Sequence, residues 1–189
     1  QVIFTVFQTP VMNSHGSILG SIDLIKQIYF PRELMILLIT GEAMVDFVFT
    51  LAAVIGVNAV FYDVPPNIYF VLLPIPILLM ILLSVGTALI LSWVSMVVRD
   101  MQQLIAVMMQ LLFFVTVLYS PYAGARPEIT RLMALNPFGA VVTAFRDIVL
   151  YARTPDWTQL FLPGVLAVVL LYLGYVVFKV NEDRIVDMA

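Results

Sequence analysis

Apolar residues fall in five long stretches separated by short polar breaks. The first runs from Gln1 to about Val11, with room to reach Leu19, and reads as part of a membrane span. The second, Leu34 to Tyr62, contains Glu42 and Asp46. The third, Val64 to Val98, is 35 residues without a charge. It opens on Pro65-Pro66 and carries Pro74 and Pro76, which predicts a turn and then a kinked or tilted helix. The fourth runs from Met101 to about Ser120 and the fifth from Trp157 to Phe178. A span needs about 20 apolar residues. The pattern therefore predicts an all-α integral membrane protein with about five transmembrane helices in one domain, 1–189. Neither an internal repeat nor a low-complexity linker interrupts it.

Two segments depart from the pattern. Residues Ser17 to Tyr29 alternate with helical period, placing Ile18, Ile22, Ile25 and Tyr29 on one face and Asp23, Lys26 and Gln27 on another. Pro31 ends this amphipathic helix. Residues 121–156 are too apolar for a loop and too broken for a span. Their longest uncharged piece, Leu132 to Phe145, is 14 residues, a length suited to re-entrant or interfacial segments. Charged Arg126, Glu128, Arg131, Arg146, Asp147, Arg153 and Asp156 punctuate the segment at a spacing unsuited to lipid. Asn136-Pro137 reads as a helix start, with asparagine as N-cap and proline in the first turn. The helix after it, Phe138 to Tyr151, sets Val142, Phe145 and Val149 along one side. Two short re-entrant gate helices are the expectation.

Composition narrows the class further. The chain is 62% hydrophobic and 11% charged, with a net charge of −3 and nine basic residues, which excludes a nucleic-acid footprint. It has no cysteine and one histidine, so a disulfide framework, a thiolate metal site and a Cys/His or Ser/His/Asp centre are all excluded. His15 reads as structural or solvated. The pattern GxxxxGK[ST] is absent, so the chain is not expected to bind or hydrolyse ATP. The basic residues split between Lys26, Arg32, Arg99, Lys179 and Arg184 on one face and Arg126, Arg131, Arg146 and Arg153 on the other. Because the second group all lies in the gate-like segment, the first is assigned to the cytoplasm. The chain begins at Gln1, already apolar and without a basic leader, and reads as a fragment.

Three sets of side chains carry candidate chemistry. Glu42 and Asp46, spaced i, i+4, share one face of the second span. Intramembrane carboxylates are costly, so this pair reads either as a proton or cation relay or as groups near the interface that bond neighbouring helices. Phe113, Phe114, Tyr119 and Tyr122 gather where the fourth stretch meets the outer boundary, as an aromatic belt or as platforms for sugar rings. Arg146 and Asp147 either line a solute path or pair with neighbouring chain.

The motifs LIKQIYFPRE (24–33), VDF (45–47), VRD (98–100), LNPF (135–138), AFRDIVLY (144–151) and TPDW (154–157) occur in this order. In that set the chain resembles the type-2 permeases of ATP-binding-cassette polysaccharide exporters, which move O-antigen, teichoic acid or capsule. The resemblance covers nearly the whole chain. It departs from the family at Val117 and Ile36, where proline is frequent.

The resemblance implies a multi-pass permease in the bacterial cytoplasmic (inner) membrane, active in cell-envelope biogenesis and not itself an enzyme. Its partners would be a second copy of the chain, two ATPase subunits that bind the ATP and magnesium, a lipid-linked glycan or polyol-phosphate polymer, and membrane lipids. No cofactor or metal would be held by this chain. Residues 13–33 correspond to the family's cytoplasmic coupling region, with Ile22, Ile25, Lys26, Tyr29, Phe30 and Arg32 against the ATPase. Residues 121–156 correspond to the outer gate helices, with Phe113, Phe114, Tyr119, Tyr122 and Arg146 on the substrate path. An amphipathic N-terminal helix and a first span would precede Gln1. A drug or lipid exporter of the same fold, or a proton-coupled carrier using Glu42 and Asp46, are the alternatives.

Overall fold

The computed structural model describes residues 2–20, 33–61, 67–98, 100–117 and 136–181. Among them every regular element is helical: α1 (Val2–Gly20), α2 (Glu33–Phe61), a 3₁₀ turn (Ile68–Leu72), α3 (Pro74–Val97), α4 (Met101–Val117), α5 (Pro137–Val149) and α6 (Trp157–Val180). Three stretches are long and apolar enough to cross a membrane: Leu34–Phe61, Ile68–Ser95 and Trp157–Val180. The apolar run of α4, Met101–Thr116, is shorter. The chain is thus an all-α, multi-pass membrane protein.

The prolines act differently from expectation. Pro74 and Pro76 sit at the very start of α3, where the first backbone donors have no helical partner and proline removes nothing. They begin the helix after the 3₁₀ turn. The prolines inside helices are Pro10 of α1 and Pro163 of α6, and both are buried against neighbouring helices.

Several hydroxyls in these apolar helices are satisfied locally. The hydroxyls of Thr40, Thr87 and Ser92 donate to the carbonyls of Ile36, Leu83 and Leu89 at 2.7–2.8 Å. Hydrocarbon offers no alternative partner, so this back-bonding is what lets serine and threonine sit there.

The core is built on α1. Its buried residues Ile3, Phe4, Phe7, Val11 and Ser14 recur at helical spacing and pack between α2 and α3. The Ser84 hydroxyl of α3 donates to the Phe7 carbonyl at 3.4 Å. By contrast, α2 buries only a narrow stripe, including Ile36, Ala43 and Phe47, and leaves Leu38, Phe49, Val60 and Phe61 bare.

The most extensive helix pair is α3 with α6, and two glycines allow it. A Cβ on Gly86 would lie 2.6 Å from the backbone of Leu170 and Leu171; one on Gly174 would lie 2.5 Å from the Gly86 carbonyl oxygen. Backbone therefore meets backbone, as small residues permit between membrane helices. Nearer the helix starts, Gly164 faces Leu79 at 4.0 Å. Contacts that advance together along both helices make α3 and α6 parallel.

This crossing predicts a sharp difference between glycines. Gly174→Ala must push backbone apart and is expected to cost about 1–3 kcal/mol from overpacking, seen as a lowered thermal midpoint of the detergent-solubilised protein. Gly164→Ala, with room for the methyl, should leave the midpoint unchanged or raise it.

Candidate gate and intramembrane residues

α5 starts as its sequence dictates. Asn136 is its N-cap, in extended conformation, with the side-chain oxygen accepting from Phe138 N at 3.1 Å and Pro137 in the first turn. The buried face of α5 includes Val142, Phe145 and Val149, the three residues that the spacing aligned. Its polar residues are displaced from that face except Asp147.

Ring contacts fix the depth of this helix. Phe138 packs on Phe7 of α1 at 4.4 Å between centroids, and Phe145 on Phe47 of α2 at 6.0 Å. Phe7 lies level with Ser84, ten residues into α3, or about 15 Å along that helix at 1.5 Å per residue. At its other end, the Ile148 carbonyl accepts from Asn67 Nδ2 at 3.2 Å, just before α3 begins. α5 thus runs from deep in the bundle back to the end that carries the 3₁₀ turn. The Asn136 Nδ2 also donates to Thr116 Oγ1 of α4 at 3.0 Å.

The end of α5 is closed by a tight charged turn. Arg153 Nη2 meets Asp147 Oδ1 at 2.7 Å, and Arg153 N donates to the Asp147 carbonyl at 3.1 Å. Ala152 supplies the reversal with φ of 50°, a left-handed conformation that a non-glycine residue adopts at some cost. The Arg153 guanidinium also stands 5.4 Å from the Tyr151 ring centre. Burial, and then the charge of Asp156, push the Asp147 carboxyl above its ordinary value.

Asp156 caps α6. Its carboxylate accepts from Thr158 N at 3.0 Å, from the Thr158 hydroxyl at 2.6 Å and from Gln159 Nε2 at 2.9 Å. The Thr158 bonds, the side-chain one foremost, hold its pKa below the ordinary 3.8.

The candidate residues separate into several groups. Phe113 stands edge-on to Phe4 at 5.7 Å and to Phe114 at 6.0 Å, so it is tied to α1, while Phe114 remains about half exposed. Arg146 is half-buried in α5, and its carbonyl accepts from Leu150 N and Tyr151 N. Asp147 pairs within the same turn. Glu42 and Asp46 share one face of α2 and both are exposed, about a quarter-turn from the buried Ala43 and Phe47. Tyr119 and Tyr122, and the whole coupling set Ile22, Ile25, Lys26, Tyr29, Phe30 and Arg32, lie outside the described residues. Sequence reasoning missed Asn67, Thr116, Phe4 and Phe7. Phe4 and Phe7 carried a signal, two aromatics three residues apart in an apolar run, whereas nothing local marked Asn67 or Thr116.

The chain is 25% identical over 183 residues to the O-antigen export system permease protein RfbA of Myxococcus xanthus, covering 96% of this chain and 70% of that protein. The resemblance to the type-2 exporter permeases is borne out. Protein-family models give no match.

The cap of α6 gives a pH prediction. Asp156→Ala should cost about 1 kcal/mol of stability, the usual worth of an N-cap, and Asp156→Asn much less. Because the folded carboxyl has the lower pKa, its contribution is complete above about pH 4 and is lost as pH falls through the folded value. Thermal midpoints of wild type and Asp156→Ala, measured across that range, should converge in acid.

Proposed function

We infer that the chain is the membrane-spanning permease subunit of an ATP-driven exporter of a lipid-linked polysaccharide or polyol-phosphate polymer. The observation that carries this reading is the similarity to an O-antigen export permease over 96% of the chain. It agrees with the ordered motifs, and with a helix, α5, that runs from deep in the bundle out to the end carrying the 3₁₀ turn.

In this reading α1 and α4 cross the membrane with the three longer apolar stretches, two copies assemble in the cytoplasmic membrane, and each binds an ATPase subunit. The chain itself is not an enzyme; the partner subunits bind ATP and magnesium. Residues 13–33 form the coupling region on the cytoplasmic side and 121–156 the exit gate on the outer side. Phe114 offers an exposed aromatic face near that gate, the kind of surface on which sugar rings pack, and Tyr119, Tyr122 and Arg146 are the further candidates for polymer contact. The carrier alternative gains no support from α2, since Glu42 and Asp46 are exposed and not enclosed in the bundle. Their face instead suits contact with another helix, as polar residues between spans do.

Coupling tests the reading directly. Ile25→Asp or Tyr29→Asp would place a charge on the apolar side of the coupling helix. Export should fall about tenfold or more, as loss of a buried apolar contact of 1.5–3 kcal/mol implies, while the ATPase subunits keep their basal hydrolysis. Unchanged export would overturn the assignment of 13–33.

A further inference from the structure

α2 and α6 both pack on α3 but hardly meet each other. Between them lies an open groove of about 520 Å³ whose lining is almost wholly apolar. Leu37 of α2 forms one wall, and Leu171, Tyr172 and Tyr175 of α6 form the other. Val85 and Leu89 of α3 make the floor, beside the glycine crossing that brings α3 against α6. Tyr172 and Tyr175 are 68% and 52% exposed, so the walls are open to whatever surrounds the helices.

The groove has a direction. Tyr172, Tyr175 and Lys179 follow one another at i, i+3 and i+7, on one face of α6. Lys179 is exposed in the last turn of that helix. At 1.5 Å per residue, Tyr175 lies about 6 Å inward from Lys179, and Val168, at the far end of the lining, about 16 Å inward. Along the helix the order is therefore cation, then rings with a polar tip, then hydrocarbon. A phospholipid has the same order of phosphate, ester and acyl chain. The width also discriminates. A helix about 10–12 Å across would occupy roughly 800–1,200 Å³ over the same length, more than the groove holds.

At the opposite end of α6 charge selects differently. A second apolar groove, of about 590 Å³ and lined by Ile75, Trp157 and Phe161 among others, lies where α6 begins. That end carries the Asp156 carboxylate, and Arg153 beside it is paired with Asp147.

We propose that the α2–α3–α6 groove is a binding site for one acyl chain of an anionic phospholipid, with Lys179 meeting the lipid phosphate. The site needs only that the helices span a membrane. It stands or falls separately from the cargo of the exporter.

The test places the full-length protein in phosphatidylcholine nanodiscs doped with one of two probes. These are phosphatidylglycerol and phosphatidylcholine, each carrying a photoreactive diazirine on one acyl chain, with labelled peptides mapped by mass spectrometry. Around Leu37, Tyr172 and Tyr175, phosphatidylglycerol should label about fivefold more than phosphatidylcholine, the preference that one lysine near the membrane surface sets. Around Trp157 and Phe161 the two probes should label alike. Lys179→Gln should abolish the preference and Lys179→Arg should keep it, while Leu37→Trp, which fills the groove from an exposed position, should lower labelling by both probes. Equal labelling at Tyr172 and Tyr175 in the wild type, or a preference that survives Lys179→Gln, would overturn the proposal and leave only bulk lipid at this face. Two further outcomes would also overturn it. One is oxidative cross-linking between copies through Tyr172→Cys, which would make a second copy the occupant. The other is displacement of phosphatidylglycerol by an equal amount of polyprenyl phosphate, which would make the groove a site for that lipid instead.

Discussion

The close crossing of α3 and α6 at Gly86 and Gly174 sets the topology of everything between them. A Cβ at either position would lie within 2.6 Å of the facing backbone, so the two helices meet along one fixed line and run parallel. α3 ends at Val97, and α4 begins at Met101, which starts the return toward the end where α6 must begin. α5, which lies between them in sequence, runs from deep in the bundle out to the end where α6 begins.

Within that frame α5 is held by a small number of directional contacts on an apolar bed. Phe138 against Phe7 and Phe145 against Phe47 give it depth. Asn136, Asn67 and the Asp147–Arg153 pair fix its ends. In lipid the hydrophobic effect contributes little between helices, and packing plus hydrogen bonds carry the association. The bonds at the ends of α5 therefore weigh more in its position than similar bonds would on a soluble surface. The similarity to an O-antigen export permease supports a transport role for the bundle that these contacts hold together.

Local signals were legible in the sequence and long-range ones were not. The long apolar runs gave α2 and α6 to within two residues and enclosed α3, and Asn136-Pro137 announced the start of α5, because caps and hydropathy act over a few residues. Pro74 and Pro76 mark the start of α3 rather than its interior: proline at a helix start and proline within a helix look alike until the first turn is located. Glu42 and Asp46 were correctly set on one face, but periodicity alone does not say which way a face points on a helix that is apolar all round. Asn67 is tied to Ile148 across 81 residues, a pairing that no local pattern encodes. The same holds for the two glycines, whose role depends on which helix arrives opposite them.

The parallel arrangement of α3 and α6 is most directly tested by sidedness. The chain contains no cysteine, so single cysteines at Ile68, Asp100, Ala152 and Val180 report unambiguously to a membrane-impermeant thiol reagent in oriented vesicles. The account predicts that positions 68 and 152 label from one side of the membrane and 100 and 180 from the other. Labelling of 68 and 152 from opposite sides would contradict it.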